Sequence, residues 1–441
     1  MKKNLLVPIL LSIALLLPLV FSRSDSPSPH LGWPRVNSGD EPHYLVLIHS
    51  LLLDGDFDVA NNYAAVHRGA AQAGERSTGR ELDHHSVWYE GDVRRPWPRV
   101  FDRWNWDWDA EGHPVPGLRP GQSPPPARQP EYSSHPVGLA VLLAPVLFPF
   151  RHTTLLEPVA IFCSSLAVIV ALWLFRPLVR RYNADERVVN LVTAVAFLGT
   201  PAWHYGRTLF CEPWLLLFAV GAYSLCLREK SSLLAGVFLG MGTLMKPPFG
   251  LVMVPLWLKF IIERKYRAAA LLAFPALAAL ALTLWLNDTM FGSPWRTMQS
   301  WRQGDFLTGA AQMFFSEKYG LLLVAPALLA AFAAYPTFWR KCPRDAAVIA
   351  LGFLSYLCFF APFKSWNGAT CYGVRHLVPC LPLFFVALAK WPGTKLWLNP
   401  WARHSLTALC LLSVCVNFFA ALPYWTFWDS NPLFFLWQRI F

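Results

Sequence analysis

Over most of this chain apolar residues run in long unbroken stretches separated by short polar connectors, and one long polar interval interrupts them near the start. The first apolar run, about Leu5–Phe21, follows Lys2 and Lys3 and approaches the roughly 20 residues needed to cross a bilayer's hydrocarbon core. It predicts a first transmembrane helix over 1–21. A cleaved signal peptide is the competing reading, but no A-x-A-like sequence follows and the run is long for one. After the polar interval, apolar segments recur at Pro158–Phe175, Val188–His204, Pro213–Leu227, Leu233–Met245, Phe249–Ile262, Ala268–Leu286, Tyr319–Phe338, Ala346–Pro362, Leu377–Ala389 and Ser405–Tyr424. The pattern predicts an all-α polytopic membrane protein with about 11 transmembrane helices. Three regions follow: the first helix at 1–21, an outer loop at 22–157, and a multi-spanning helical bundle at 158–441. The stretch Val137–Phe150 is short and contains proline, and reads as a helix lying along the outer interface.

Composition agrees with the membrane class. The 441 residues are 55% hydrophobic and only 15% charged, where a soluble domain carries nearer a quarter. Net charge is +11, but the Lys and Arg sit in short clusters between apolar runs, which argues against a nucleic-acid-binding face. Counting them in alternate short loops gives 18 in one set, from Lys2 to Arg403, against seven in the other: Arg207, Lys246, Arg296, Arg302, Lys318, Lys364 and Arg375. The richer set and the N-terminus are therefore expected in the cytoplasm, and the sparser set outside. The nine Cys are an odd number and mostly lie inside apolar runs; Cys211, Cys371 and Cys380 fall near the expected outer face, where a bridge would need an oxidising compartment.

The outer loops hold the unusual sequences. Asp40-Glu41, in NSGDEPHY over 37–44, stands where chain emerging from the bilayer resumes a helical pattern. Adjacent interfacial carboxylates do not share one environment, and a partly buried one is suited to general-base work. The plain alternative is that Asp40 caps the following helix with help from Pro42. Lys246 precedes Pro247-Pro248, so it either meets an anion at membrane depth or snorkels. Arg375 follows Gly373 in a loop and has the forked guanidinium suited to phosphate. Arg207 and Glu212 flank one short turn and would simply pair in the plain reading. Trp88, Trp97 and the WNWDWD stretch over 104–109 either stack sugar faces or rest at headgroup level. Pro114–Pro136 reads as an extended connection, and Asp83, His84 and His85 lack a complete zinc-ligand spacing. No Walker A, dinucleotide-binding or nucleophile-elbow sequence occurs.

In chain order, the first helix, Asp40-Glu41, YSSHPVGLAVLLAP, GRTLFCEP, LMKPPFGLVMVP, NDTMFGSP over 287–294 and WNGATCYGVRHLVP over 366–379 resemble the GT-C superfamily of integral membrane glycosyltransferases. That superfamily includes the protein O-mannosyltransferases and the lipid A aminoarabinose transferases. The likeness covers nearly the whole chain apart from about 54–131. It implies inverting transfer of a sugar from a polyprenyl-phosphate donor to a glycan, lipid or protein acceptor, on the extracytoplasmic side of a bacterial inner membrane. It implies Asp40 as general base, with Glu41 as its helper or as a metal-side residue. The candidate substrate-binding residues that go with this resemblance are His43, His135, Arg207, Glu212, Lys246, Arg296, Trp366, Tyr372, Arg375 and His376, with Arg207, Lys246, Arg296 and Arg375 as the candidate cations for the donor phosphate. No organic cofactor is implied; a divalent cation is the inorganic partner to consider. Where aminoarabinose transferases have Lys-Pro this chain has His135-Pro136, replacing a permanent cation by a group mostly neutral at pH 7. A transporter or flippase of lipid-linked saccharides is the rival reading, although no internal repeat of the transporter kind is visible.

Overall fold

The computed structural model describes residues 5–21, 36, 40–63, 86–90, 93–96, 106–108, 114–116, 130–295, 303–368 and 371–421. The chain divides into two compact units: residues 1–39, 157–280 and 301–441 form one, and residues 40–156 with 281–300 form the other.

The first unit is a helical bundle. Among the described residues, four helices are long and apolar enough to cross a membrane: Leu156–Tyr182, Tyr266–Phe291, Pro343–Phe360 and Pro400–Ala421. Tyr266–Phe291 begins in this unit and ends in the other. The expectation of about eleven full spans is not confirmed: Leu6–Phe21, Glu212–Leu227 and Ser232–Met245 are single but shorter apolar helices, and proline or glycine divides several other runs. Val188–His204 resolves into Glu186–Leu198 and Ala202–Tyr205, broken around Gly199 and Pro201. Phe249–Ile262 begins as a 3-10 turn at Pro247–Val252 before Met253–Ile262. Tyr319–Phe338 becomes Leu321–Val324 and Leu328–Lys341 on either side of Pro326. Leu377–Ala389 becomes Leu381–Phe384 and a 3-10 stretch, Phe385–Gly393. A proline removes a helix amide and disfavours helical geometry in the residue before it, so an apolar run carrying one need not be one helix. The apolar helix Phe306–Phe315 was not anticipated from the pattern.

Local chemistry sets the helix ends. Asp185 accepts from the Arg187 amide at 2.9 Å and starts Glu186–Leu198. Ser231 accepts from the Leu234 amide at 3.2 Å and starts Ser232–Met245. Gly236 and Gly240 let that helix lie against Tyr266–Phe291, since a Cβ on Gly236 would stand 2.5 Å from the Leu272 carbonyl oxygen and one on Gly240 2.8 Å from that of Pro275. Such small-residue spacing lets membrane helices approach closely. The first helix, Leu6–Phe21, is tied to this unit by bonds from Trp173 Nε1 to Ser12 Oγ at 3.2 Å and from Trp203 Nε1 to the Ala14 carbonyl at 3.1 Å.

The second unit adds a few short strands to an otherwise helical chain. It holds a three-stranded antiparallel sheet in the order Val93–Pro96, Ser86–Glu90, Glu131–Ser133, and a separate pair, Trp106–Trp108 with Pro114–Pro116. Trp88 stands opposite Arg95 on one side and Glu131 on the other. The aromatic and β-branched residues of SVWYE suit a pleated surface. Helix Glu41–His49, continued as a π turn through Asp54, and helix Gly138–Leu147 complete the unit. Gly138–Leu147 is the short helix expected within Val137–Phe150. All nine cysteines are free, so the bridge considered among Cys211, Cys371 and Cys380 does not form.

Candidate active site

In the second unit, Asp40 stands immediately before helix Glu41–His49, with Pro42 in the first turn. Its φ and ψ, −79° and −13°, are already helical, and its carboxylate makes no capping bond to the helix. A capping aspartate has extended backbone and accepts from the second or third amide, so the helix-cap reading does not describe this residue. The two neighbouring acids occupy different environments: Glu41 is fully buried, whereas Asp40 is half-exposed. His43 is buried and its Nδ1 lies 2.8 Å from the Tyr63 hydroxyl. The buried His135 ring stacks on His43 at a 5.6 Å centroid separation and meets Tyr44 at 5.0 Å. Glu131 is held nearby in sequence by its own amide, which donates to Asp58 Oδ1 at 2.9 Å. Thus Asp40, Glu41, His43 and His135 belong to one unit, with Tyr63 as an aromatic member that sequence reading passed over.

The first unit brings together residues from three distant segments. Lys246 ends helix Ser232–Met245, where Pro247 and Pro248 prevent its continuation. Its Nζ donates to Glu212 Oε1 at 3.1 Å and to His376 Nδ1 at 2.9 Å. Arg375 Nε approaches the same Glu212 oxygen at 3.6 Å. All four side chains are buried, so two cations surround one carboxylate away from bulk water. Rings support both: His376 stacks on Phe360 at 4.0 Å, Lys246 Nζ lies 5.4 Å from the Phe360 centroid, and Arg375 Cζ lies 4.8 Å from that of Phe210. Burial, together with the charges of Lys246 and Arg375, pushes the His376 pKa well below the ordinary histidine value. The imidazole is therefore neutral, and Nδ1 accepts from the Lys246 ammonium.

Backbone shape fixes Arg375. Gly368 has φ +101°, and a Cβ there would stand 2.7 Å from Arg375 Nε; the Arg375 amide donates to the Asn367 carbonyl at 3.0 Å. Tyr372 serves the framework. Its hydroxyl reaches Asn417 Oδ1 at 3.3 Å, and its carbonyl accepts from the Tyr205 hydroxyl at 2.9 Å. Asn417 Nδ2 in turn donates to the Val324 carbonyl at 2.7 Å. Arg207 is buried in the turn before Glu212, and Trp366 is buried edge-on to Tyr319 at 6.1 Å. Glu212, which the sequence suggested might only balance Arg207, instead joins Lys246 and Arg375. Phe210, Phe360 and Asn417 were missed because each is one apolar or amide residue within a hydrophobic run. Arg296 and the acidic-aromatic loop positions Trp97, Trp104 and Asp109 lie outside the described residues, as do Asp83, His84 and His85. Among the described residues no group of three or more His, Cys, Asp or Glu side chains is placed to hold a metal ion.

No family model matches the sequence, and no curated protein matches it closely enough to count. Solved structures do match. The crystal structure of the Archaeoglobus fulgidus oligosaccharyltransferase in the apo form superposes with a TM-score of 0.52 at 10% identity, covering 97% of this chain and 56% of that one. The archaeal oligosaccharyltransferase AglB from the same organism, in complex with an inhibitory peptide and a dolichol-phosphate, gives 0.50 at 10% identity over 95% of this chain and 55% of that one. The complex with Zn and sulfate gives 0.51 at 10% identity over 95% and 53%. The chain therefore shares the fold of these archaeal oligosaccharyltransferase structures. The chain spans about half the length of the solved structures it matches. At this identity the likeness concerns the path of the backbone. It extends over the bundle and the Asp40 unit together, which agrees with the resemblance drawn from the ordered motifs.

Proposed function

We propose that this protein is an inverting glycosyltransferase that takes its sugar, a hexose or pentose, from a polyprenyl-phosphate donor and passes it to an acceptor hydroxyl on the extracytoplasmic side. The observation that carries the reading is the buried Glu212–Lys246–Arg375–His376 cluster in a chain of GT-C fold, since it gathers two cations of the kind that bind phosphate away from bulk water. A dolichol-phosphate accompanies one of the similar structures, which supports a lipid-phosphate donor.

In the reaction the acceptor oxygen forms a bond to the anomeric carbon as the bond from that carbon to the phosphate oxygen breaks. Asp40 takes the acceptor's proton, and the polyprenyl phosphate leaves with the bonding electrons. Within the first unit, Lys246 and Arg375 are the cations suited to a lipid phosphate, where low dielectric makes such an interaction strong. His376, neutral, keeps the Lys246 ammonium aimed without adding a charge of its own. Asp40 suits the base role because it is half-exposed and is not spent on its helix.

The test is reconstitution with a panel of polyprenyl-phosphate sugars and analysis of lipid and glycan products. Asp40→Asn is expected to lower turnover by about 10²–10⁴, the usual range for loss of a general base, with thermal stability unchanged. Equal turnover would remove Asp40 from the mechanism. Movement of intact donors between leaflets without hydrolysis or transfer would replace the transferase by the flippase.

A further inference from the structure

Two interhelical turns of the first unit, both in the Lys- and Arg-rich set of loops, repeat one uncommon backbone device. After helix Glu212–Leu227, the Lys230 amide donates to the Leu225 carbonyl at 2.9 Å and that of Glu229 to Cys226 at 3.1 Å. After helix Met253–Ile262, the Lys265 amide donates to Phe260 at 2.8 Å and that of Arg264 to Ile261 at 3.0 Å. Both pairs are Schellman closures, which place the next residue in left-handed geometry and normally select glycine there. Here those positions are Glu229, φ 51°, and Arg264, φ 56°. Each turn therefore presents charged side chains where most proteins carry none.

The turns open onto one cleft of about 670 Å³, lined by Lys230, Arg264, Lys265 and Arg267, by Ser231 and Ser232, and by the apolar Leu233, Tyr266 and Leu271. Four cations line it and no acid does. Of the four, Lys265 is balanced by Glu229 at 2.8 Å and Glu263 at 3.1 Å, and Glu263 also holds Lys259 at 2.7 Å. Among the described residues, Lys230, Arg264 and Arg267 make no ion pair, which leaves three cations facing the cleft. Helices Ser232–Met245 and Tyr266–Phe291 both begin at this cleft, and their N-terminal dipoles add to its positive field. Leu233, Tyr266 and Leu271 are exposed, so apolar surface adjoins the basic residues.

We infer that this cleft is a binding site for a phosphate-bearing anion, and that its occupant is the headgroup of an anionic phospholipid. Three free cations and two serines match a phosphate with its polar substituent. The exposed Leu233, Tyr266 and Leu271 match the glycerol and first acyl carbons, which inorganic phosphate lacks. Basic pockets between transmembrane helices on the cytoplasmic side recognise such headgroups. The site is separate from Lys246 and Arg375 and stands whatever sugar is transferred.

Native mass spectrometry of the full-length protein, released from nanodiscs of mixed phosphatidylglycerol and phosphatidylcholine, tests this. The wild type is expected to retain phosphatidylglycerol in preference, and Arg264→Gln with Arg267→Gln to lower that preference by about tenfold or more, each cation near an anionic surface contributing severalfold. Arg340→Gln with Lys341→Gln, exposed in the last turn of helix Leu328–Lys341, is the control and should retain the lipid as the wild type does. Equal loss in both double variants would reduce the effect to general surface charge and overturn the site. Absence of any preference in the wild type would do the same. Inorganic phosphate that displaces the lipid at millimolar concentration would overturn the phospholipid assignment. All four substituted positions are exposed, and thermal unfolding of each variant verifies that the fold persists.

Discussion

Lys246 has the environment that most sharply separates a binding role from a packing one. Its ammonium is shared between Glu212 and His376 in a buried place, so its removal strands a carboxylate with Arg375 alone. Breaking such a buried pair costs about 3–5 kcal/mol. Lys246→Met is therefore expected to lower the thermal midpoint and, if the lysine meets the donor phosphate, to cut turnover by about 10²–10³ as well. A lowered midpoint with unchanged turnover would make the lysine a structural residue. His376 supplies a pH dependence. Burial first, and the neighbouring cations second, hold its folded pKa well below the ordinary value of about 6.5. Between those two values the unfolded chain binds a proton that the folded chain does not, so stability rises with pH and is lost as pH falls below about 6.5. Thermal unfolding from pH 8 to pH 5 should show this decline, and His376→Gln should flatten it.

The elements are governed by what ends them. Pro326 and the Gly199–Pro201 corner divide apolar runs that composition alone joins, and Pro247 and Pro248 leave Lys246 at a helix end instead of within one. Left-handed geometry costs a non-glycine residue about 1 kcal/mol or more. Arg264→Gly is accordingly expected to raise the thermal midpoint in detergent, by about 1 kcal/mol of stability, while weakening retention of anionic lipid. A fall in the midpoint would mean that the arginine side chain contributes more to the folded state than its backbone strain removes. Glu229 is the less clean position for this comparison, since its carboxylate also meets Lys265.

For the whole molecule, the likeness to the archaeal oligosaccharyltransferases extends over 97% of this chain but 56% of theirs, so it takes in residues of both units and about half of the longer chain. The membrane class, the positions of most apolar helices, the long polar interval and the candidacy of Asp40 were all legible in the sequence. Hydrophobic run length, charge spacing and residue type are local properties, and the bilayer reads them locally. The sequence also separated Asp40 from Glu41 in principle, because two adjacent carboxylates rarely share one environment. Which of them is buried depended on the packing of helix Glu41–His49, and it is Glu41. Likewise the pairing of Glu212 with Lys246 and Arg375, in preference to its near neighbour Arg207, was not visible in chain order. Buried charges take the partner that folding brings within reach, whatever the sequence separation. The sequence by itself therefore determined the solvent, the segments and their polarity, and only the tertiary structure decided which charges share a dry environment, because that is a property of packed surfaces.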